Sequence, residues 1–159
     1  MTLSLWQHLT IFVTTVVVME GLAWLMHRYL MHGPLWFIHK SHHEPRSGVF
    51  ERNDLFGLVF TPVSMALIYF GLRGYPVLLG IGVGMAGYGM IYFFLHDVLV
   101  HRRVRLPVTP KSGYLKRVYT AHHLHHSVHE RDGAASFGFA YVEPVEKIKA
   151  RLAANRANA

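Results

Sequence analysis

The stretch that decides the fold reads LFGLVFTPVSMALIYFGL, RGYP and VLLGIGVGMAGYGMIYFFL, which together make up residues 55–95. Its two long runs, residues 55–72 and 77–95, contain no charged side chain. A helix that crosses a bilayer needs about 20 mainly apolar residues, so each run is long enough to span one. The glycine and proline in residues 73–76 predict a tight turn between them. The stretch therefore predicts an antiparallel pair of transmembrane helices.

A third apolar stretch lies upstream, over residues 5–26, and only Gln7, His8 and Glu20 interrupt it. It lacks the basic start of a cleaved signal peptide, which favours a retained membrane helix. A chain of 159 residues is long enough for one domain. We therefore expect an all-α integral membrane protein, a single domain over residues 1–159 with about three transmembrane helices.

The basic residues are distributed unevenly along the chain. Fifteen of the 16 Lys and Arg residues lie in residues 28–52 or after His101, and only Arg73 lies elsewhere. Three spans place these two segments on one side of the membrane, and the positive-inside rule assigns that side to the cytoplasm. We expect a bacterial cytoplasmic membrane protein with a cytoplasmic C-terminus. The net charge of +7 then reflects topology and does not indicate a nucleic-acid partner.

Histidine dominates the candidate chemistry. Cysteine is absent, which excludes disulfides, thiolate zinc sites, iron–sulfur clusters and cysteine nucleophiles. Eleven of the 13 histidines fall in four groups, all on the predicted cytoplasmic side. The same pattern occurs twice: a pair five residues apart, then a histidine followed by two more at +3 and +4. The groups are His27 and His32; His39, His42 and His43; His96 and His101; and His122, His123, His125 and His126.

The spacings have a geometric meaning on helices. Successive residues of an α-helix are about 100° apart, so histidines at +3 and +4 share a face with the first. Such a face can hold one metal ion or straddle two. Positions five apart differ by about 140°, so His27 and His32 cannot both meet one ion on an ideal helix. Either the helix ends between them or they serve different ions, and both alternatives suit a dinuclear site.

The fourth group continues an apolar stripe on a helix predicted over residues 114–130. Leu115, Val118 and Tyr119 form the stripe. Helical periodicity extends it through His122, His125, His126 and His129. Each buried polar group without a partner costs about 1–3 kcal/mol, and metal coordination removes that cost. We therefore expect the ten histidines of the repeated pattern to be metal ligands on cytoplasmic helices.

Three histidines stand outside the repeated pattern. His8 lies near the opposite membrane surface, where we expect an interfacial role. His123 points about 100° away from its neighbour His122, so we expect it to be solvated or to support a ligand. His129 lies on the stripe, and we expect it to be a ligand or to hydrogen-bond one.

The type of metal is less constrained than the ligands. Imidazole suits zinc, copper, iron and nickel. A structural zinc site needs only four ligands, and haem would need histidines facing one another deep within paired spans. Ten histidines without a carboxylate in the groups favour a dinuclear redox site, with di-iron and di-copper both open. A non-catalytic metal-binding membrane protein or transporter is the alternative of another class. It predicts histidines spread across the membrane depth, whereas these lie on one side.

The sequence resembles the membrane fatty acid hydroxylase and desaturase superfamily, and more narrowly the bacterial β-carotene 3-hydroxylases. The likeness covers about residues 19–144. Five segments carry it: EGLAWLMHRYLMHG (20–33), HKSHHEPR (39–46), YFFLHD (92–97), GYLKR (113–117) and SFGF (136–139). The histidine motif is specific for a di-iron site, whereas the substrate depends on the residues between the histidines.

The resemblance implies a function and a ligand set. It implies O2-dependent hydroxylation at C3 of a β-ionone ring, from β-carotene to β-cryptoxanthin and then zeaxanthin. The cofactor would be two iron ions, with electrons from NAD(P)H through a ferredoxin-type donor. The carotenoid would approach from the bilayer, and the basic surface would bind the donor or anionic membrane lipid. The ten ligands would be His27, His32, His39, His42, His43, His96, His101, His122, His125 and His126.

Five further residues are candidates for supporting roles. Asp97 lies four residues before His101, which suits a carboxylate that accepts the other ring N–H of that ligand, or else a surface charge. Glu20 lies inside the first span about two helical turns, or roughly 10 Å, deeper than His27, where an ionisable residue indicates a functional role. Phe137, Phe139 and Tyr141 are candidates for the wall of a ring pocket, with ordinary packing as the alternative.

The same metal site fits other lipid substrates. A carotenoid ketolase, a fatty acid hydroxylase or a sterol hydroxylase would carry an equivalent set of histidines. The sequence alone leaves these alternatives open.

Overall fold

The structure is a computed structural model that describes residues 3–45, 48–104, 107 and 109–158. Arg46, at the end of the second quoted segment, and Ala159 lie outside this part. All regular secondary structure within the described residues is helical. The α-helices are α1 (Leu5–Leu25), α2 (Trp36–His43), α3 (Leu55–Gly71), α4 (Pro76–Tyr92), α5 (Gly113–His125) and α6 (Val145–Ala157).

Three helices are long and apolar enough to cross a membrane, Leu5–Met31, Arg52–Gly71 and Pro76–Val100. This confirms the predicted all-α fold with three candidate spans. The first and third helices extend five residues beyond their predicted ends at residues 26 and 95. Both extensions are π-helical, over Met26–Met31 and Phe93–Val100. These π-helical segments carry the first histidines of two of the four groups.

Glycines bring the spans into close contact. A Cβ atom added at Gly80 would lie 2.7 Å from a side-chain carbon of Ile11, and one at Gly84 would lie 2.6 Å from Cβ of Thr15. Since real Cβ atoms cannot approach so closely, this face of α4 fits α1 only with glycine. Large apolar side chains on the outer surface are exposed, for example Val17 at 67%. A surface of this kind suits lipid and not water.

The histidine-bearing end has a small core of its own. It is formed by α5, α6 and the segment between them, and its members are Val118, Ala121, Ala135, Val142, Ile148 and Leu152. The helix predicted over residues 114–130 is shorter in the structure, where α5 ends at His125. The residues that follow turn their carbonyl groups toward histidine rings. Leu115 and His129 are exposed, so the predicted stripe is buried only in its middle, at Val118, His122 and His125.

Candidate metal centre

Nine of the ten predicted ligands form two groups at one end of the spans. Within each group, one ring nitrogen of every histidine lies within 4.8 Å of the others. The first group is His27, His32, His39, His43 and His125, and the second is His42, His101, His122 and His126. The tenth, His96, lies beside the second group, with its Nε2 atom 2.9 Å from Nε2 of His42. Two neighbouring sites of five imidazoles each result.

The π-helical turns explain the pairs spaced by five. The N–H of His32 donates to the carbonyl of His27 over 3.0 Å, and the N–H of His101 donates to that of His96 over 2.9 Å. Both are i→i+5 bonds, which define the π-helix. The wider turn brings His27 and His32 onto one face, and both belong to the first group. Of the two alternatives from the sequence, the first holds, because the helix ends at Met31, between the two histidines. The second, that the two rings serve different ions, does not fit, because both lie in one group.

The adjacent histidines of α2 and α5 divide between the two groups. His42 belongs to the second group and His43 to the first, while His125 belongs to the first and His126 to the second. Neighbouring side chains on a helix point about 100° apart, so a pair of adjacent histidines can reach two ions. The histidine faces therefore straddle two sites.

Every ring of the first group has a neutral hydrogen-bond acceptor for its Nδ1–H. Four acceptors are backbone carbonyls and one is an amide oxygen. The bonds run from His27 to Phe137 (2.9 Å), His32 to Arg131 (2.7 Å), His39 to Asn53 Oδ1 (2.7 Å), His43 to Val128 (2.9 Å) and His125 to Ala135 (3.1 Å). Because these oxygens can only accept, each Nδ1 carries the proton and each Nε2 keeps its lone pair. Such bonds also fix the ring orientation of metal ligands.

Beside the second group, two histidine rings donate their Nδ1–H to carboxylates. The Nδ1–H of His42 donates to Glu51 Oε2 over 2.9 Å, and that of His96 donates to Asp97 Oδ1 over 2.8 Å. The sequence suggested that Asp97 would support His101, whereas this bond is to its neighbour His96. Glu51 was not a candidate from the sequence.

Burial keeps these imidazoles neutral. It lowers the pKa of His39 to about 3 and that of His43 to about 4. Burial also lowers the pKa of His42 and His125 well below the usual value. At neutral pH these rings are therefore uncharged, which is the form that binds a metal ion.

The nitrogen lone pairs face one another at short range. The Nε2 atoms of His27 and His39 lie 3.1 Å apart, and those of His42 and His96 lie 2.9 Å apart. Each of these rings holds its proton on Nδ1, so lone pair meets lone pair and the contact is repulsive without a cation. A metal ion among the nitrogens relieves this repulsion. An all-imidazole donor set fits iron, and it equally suits zinc and copper.

Glu20 supports the site through a segment of backbone. Its Oε1 atom accepts the N–H groups of Phe139 (3.0 Å), Ala140 (3.0 Å) and Tyr141 (2.8 Å), and its Oε2 atom accepts the hydroxyl of Tyr88 (2.8 Å). Four hydrogen bonds to one carboxylate compensate for its partial burial among apolar helices. The segment that it holds continues to Phe137, whose carbonyl orients His27. Glu20 therefore acts on a ligand indirectly.

The three aromatic residues predicted to line a ring pocket lie in two different environments. Phe139 stacks on the His27 ring, with 5.1 Å between centroids and 11° between planes. Phe137 presents its edge to the rings of His27, His32 and His125 at 5.3–5.5 Å. Both phenylalanines are buried and wall the first group, whereas Tyr141 is 73% exposed.

His123 and His129, which stand outside the repeated pattern, belong to neither group. The Nδ1–H of His129 donates to the carbonyl of His43 over 3.0 Å, so His129 touches the backbone of a predicted ligand. The exposed His123 stacks on Tyr119, with 4.1 Å between ring centroids.

Comparison with known proteins places the chain in a family. The fatty acid hydroxylase family matches residues 12–143. The chain belongs to the fatty acid hydroxylase family. Its relatives include a "Beta-carotene hydroxylase" of Pantoea ananas, 50% identical over 150 residues that cover 94% of this chain and 85% of that protein. One of Paracoccus sp. (strain N81106 / MBIC 01143) is 51% identical over 143 residues, which are 89% of this chain and 88% of that protein. No solved structure matches the chain.

More distant relatives extend the comparison to plants. A chloroplastic "Beta-carotene 3-hydroxylase 2" of Arabidopsis thaliana is 41% identical over 121 residues, 72% of this chain and 39% of that protein. Family and relatives together indicate that the chain is an oxygenase enzyme. The family and the two histidine groups also fit an iron centre.

Two cavities flank the metal centre of this family member. One, of about 480 Å³, lies between α1 and the segment around Phe137 and is lined by Gly21, Trp24 and Tyr141 among others. We name it the α1 groove. The other, of about 530 Å³, is lined by His42, His101 and His126 of the second group together with His123 and His129. The second group therefore borders a cavity through three of its members, whereas His43 is the one member of the first group among the residues that line it.

Several residues that shape the centre carry no signal in the sequence. Asn53 and Glu51 lie 14 and nine positions from the rings that they orient. The carbonyl acceptors after α5 belong to residues of unrelated type, such as Val128 and Ala135. The sequence offers one hint of such acceptors, which is that carboxylate and amide side chains lie directly before a predicted span. This hint points only to residues 51–54.

Proposed function

We propose that this protein hydroxylates the β-ionone rings of carotenoids at C3, converting β-carotene to β-cryptoxanthin and then to zeaxanthin. The proposed domain is the whole chain, residues 1–159. The observation that carries the proposal is the pair of imidazole groups, the first of them buried throughout, at one end of three candidate spans, in a chain half identical to bacterial proteins named beta-carotene hydroxylase. The proposed ligands of two iron ions are His27, His32, His39, His42, His43, His96, His101, His122, His125 and His126.

The reaction requires one oxygen atom from O2 to enter a C–H bond. In balance, the substrate, O2, two electrons and two protons yield the alcohol and water. An iron pair, when bound, supplies the reductive activation of O2 that an unactivated C–H bond demands. The electrons are proposed to come from NAD(P)H through a ferredoxin-type donor.

The protein's own residues supply position and environment. Neutral rings present their Nε2 lone pairs, and their Nδ1–H bonds keep them oriented before any ion arrives. Phe137 and Phe139 cover the first group and exclude water from it. Exclusion of water strengthens electrostatic interactions within the site and limits side reactions. Glu20 holds the segment that carries both phenylalanines.

The α1 groove is the proposed entrance for the ring. Its lining residues Gly21 and Trp24 belong to a candidate span, so lipid-dissolved substrate can reach it laterally. Phe137 lines the groove and also touches three rings of the first group, which makes it the partition between substrate and metal. A volume of about 480 Å³ falls within the usual range of roughly 300–1,000 Å³ for ligand sites.

Gly21→Leu should reduce hydroxylation by roughly 10-fold to 100-fold, because the new side chain fills the groove and displaces the ring. A Cβ atom at Gly21 meets nothing within 4 Å, so the fold accommodates it. Gly57→Leu is the matched control, since Gly57 is equally open but lies on α3 outside the groove. Both variants should keep the wild-type iron content. Equal pigment yields from the two variants would refute the groove as the entrance.

The function itself is tested by expression in a host that accumulates β-carotene, with chromatography of the pigments. We expect zeaxanthin as product and β-cryptoxanthin at early times. Pigments with 4-keto rings would instead identify a ketolase. Unchanged carotenoids with newly hydroxylated fatty acids or sterols would assign another lipid, and unchanged lipids despite bound metal would indicate a binding protein or transporter.

The proposed location is the bacterial cytoplasmic membrane, with the metal centre and the C-terminus in the cytoplasm. The support is the distribution of Lys and Arg, 15 of 16 of which flank the histidine-bearing segments. Two partners suit this basic surface. An acidic ferredoxin-type donor would be steered to it, and anionic lipid would bind it in the membrane plane.

A further inference from the structure

The two histidine groups differ in the charge of the atoms that contact them. In the first group, all five Nδ1–H groups donate to uncharged oxygens, four of them backbone carbonyls and one the amide of Asn53. Beside the second group, His42 and His96 donate to the carboxylates of Glu51 and Asp97. The contrast is between neutral acceptors for all five rings of the first group and carboxylate acceptors for His42 and His96.

Arg103 joins these carboxylates into one network. It donates to both oxygens of Asp54 at 3.0 and 2.7 Å, and its guanidinium lies 3.4 Å from Glu51 and 3.6 Å from Asp97. All three carboxylates therefore lie within reach of the same guanidinium. The Glu51 side chain is only 8% exposed, so water screens its charge weakly.

A carboxylate that accepts the N–H of a ligating imidazole has two effects. It raises the basicity of the ligand, and its negative charge stabilises the more positive state of the metal. A carbonyl oxygen orients the ring equally well but contributes no net charge. Each effect favours Fe³⁺ over Fe²⁺ beside the second group.

We propose that the two iron sites are electrostatically unequal, and that Glu51 and Asp97 make the site of His42 and His96 the one that holds Fe³⁺ more strongly. Arg103 is a positioning residue that keeps both carboxylates on their histidines. This inference rests on the proposed iron centre and adds an order of reduction to it. With two ferric ions bound, the first electron would reduce the one held by the first group, and the second would reduce the one held beside Glu51 and Asp97.

The alternative is that the acidic residues only stabilise a turn. The N–H of Glu51 does donate to Asp54 over 2.9 Å, at the start of the Arg52–Asp54 turn. A purely structural role predicts that isosteric amides alter stability and leave the reduction potentials of the irons unchanged. The potentials therefore separate the two accounts.

The experiment is a reductive titration of purified iron-loaded protein with dithionite as the electron source. Electron paramagnetic resonance and Mössbauer spectroscopy would follow the oxidation states. Wild-type protein should show two one-electron steps, with a mixed-valence species at one electron per iron pair. Glu51→Gln should raise the lower potential and leave the upper one in place. The expected change in the equilibrium constant for that step is about 10-fold to 100-fold, at about 59 mV for each factor of ten.

Two further variants make the result independent of a single substitution. Asp97→Asn acts on the same site through His96 and should also raise the lower potential. Asn53→Asp is the matched variant with the opposite expected effect, because it places a carboxylate beside His39 of the first group. It should lower the upper potential and bring the two steps together.

Each outcome bears on the inference. A single unresolved step in the wild type, or the same shift from Glu51→Gln and Asn53→Asp, would overturn it and leave the proposed function standing. Wild-type protein that binds no iron pair would overturn the proposed function and this inference together.

Discussion

Replacing His39 or His125 with alanine should abolish carotenoid hydroxylation and reduce the iron content below two per chain. Both rings are buried, at 2% and 0% exposure, and both belong to the first group. Each substitution removes one nitrogen ligand and leaves a void where neighbouring lone pairs converge. Loss of a residue that merely orients a ligand already costs about 10-fold to 100-fold, so loss of the ligand itself should exceed this.

The measurement pairs pigment chromatography with iron analysis of purified protein. Wild-type enzyme should hold two irons per chain, and removal of iron by a chelator should inactivate it. The same loss of activity is expected for alanine at each of the other eight proposed ligands. His8→Ala and His123→Ala are the controls, since neither residue belongs to a group, and both should keep nearly full activity. Full activity in His39→Ala or His125→Ala would refute the ligand assignment, and one iron in fully active enzyme would refute the dinuclear site.

The spans and the histidine groups were predictable because their causes are local. In lipid every backbone polar group must form its hydrogen bonds within its own segment. An uncharged run such as residues 77–95 is therefore expected to form a helix. Histidines at +3 and +4 on a helix share a face whatever surrounds it. The gathering of nine predicted ligands in two groups follows from these local patterns together with the placement of four segments at one end of the spans.

The π-helical turns were not predictable from the same rules. The spacing of His27 and His32 looks the same in sequence whether the helix is α or π. Only the observed bond from His32 to the His27 carbonyl distinguishes the two. What favours the wider turn is the convergence of five rings, which is a property of the assembled site.

The acceptors around the rings were also beyond sequence reasoning, for a different reason. Every residue carries a carbonyl group, so nothing about Val128 or Ala135 marks it as an acceptor for a histidine 85 or ten positions away. Glu20 did stand out, as a carboxylate in an apolar span. Its partners, the backbone N–H groups of residues 139–141, could not be inferred because they lie about 120 positions along the chain.

A second prediction with a large expected effect concerns which side of the membrane carries the metal centre. A reporter that is active only in the cytoplasm should work when fused after Ala159 and fail when inserted into the turn at residues 73–76. A reporter that requires export should behave in the opposite way. Three spans place the segment after the third helix across the membrane from that turn, and the turn contains Arg73, the one basic residue outside the two basic segments.

The expected difference between the two fusion sites is close to all or none, because each reporter functions on one side only. Fusion of the reporter ahead of Leu5, where the first span begins, should match the turn and not the C-terminus, which tests the first span separately from the helical pair. An external signal from the C-terminal fusion would show that an even number of spans separates the C-terminus from the external start of the chain or that the orientation is reversed. In either case reduced ferredoxin could not reach the second histidine group from the cytoplasm, and the proposed electron donor would have to be replaced by one on the opposite side.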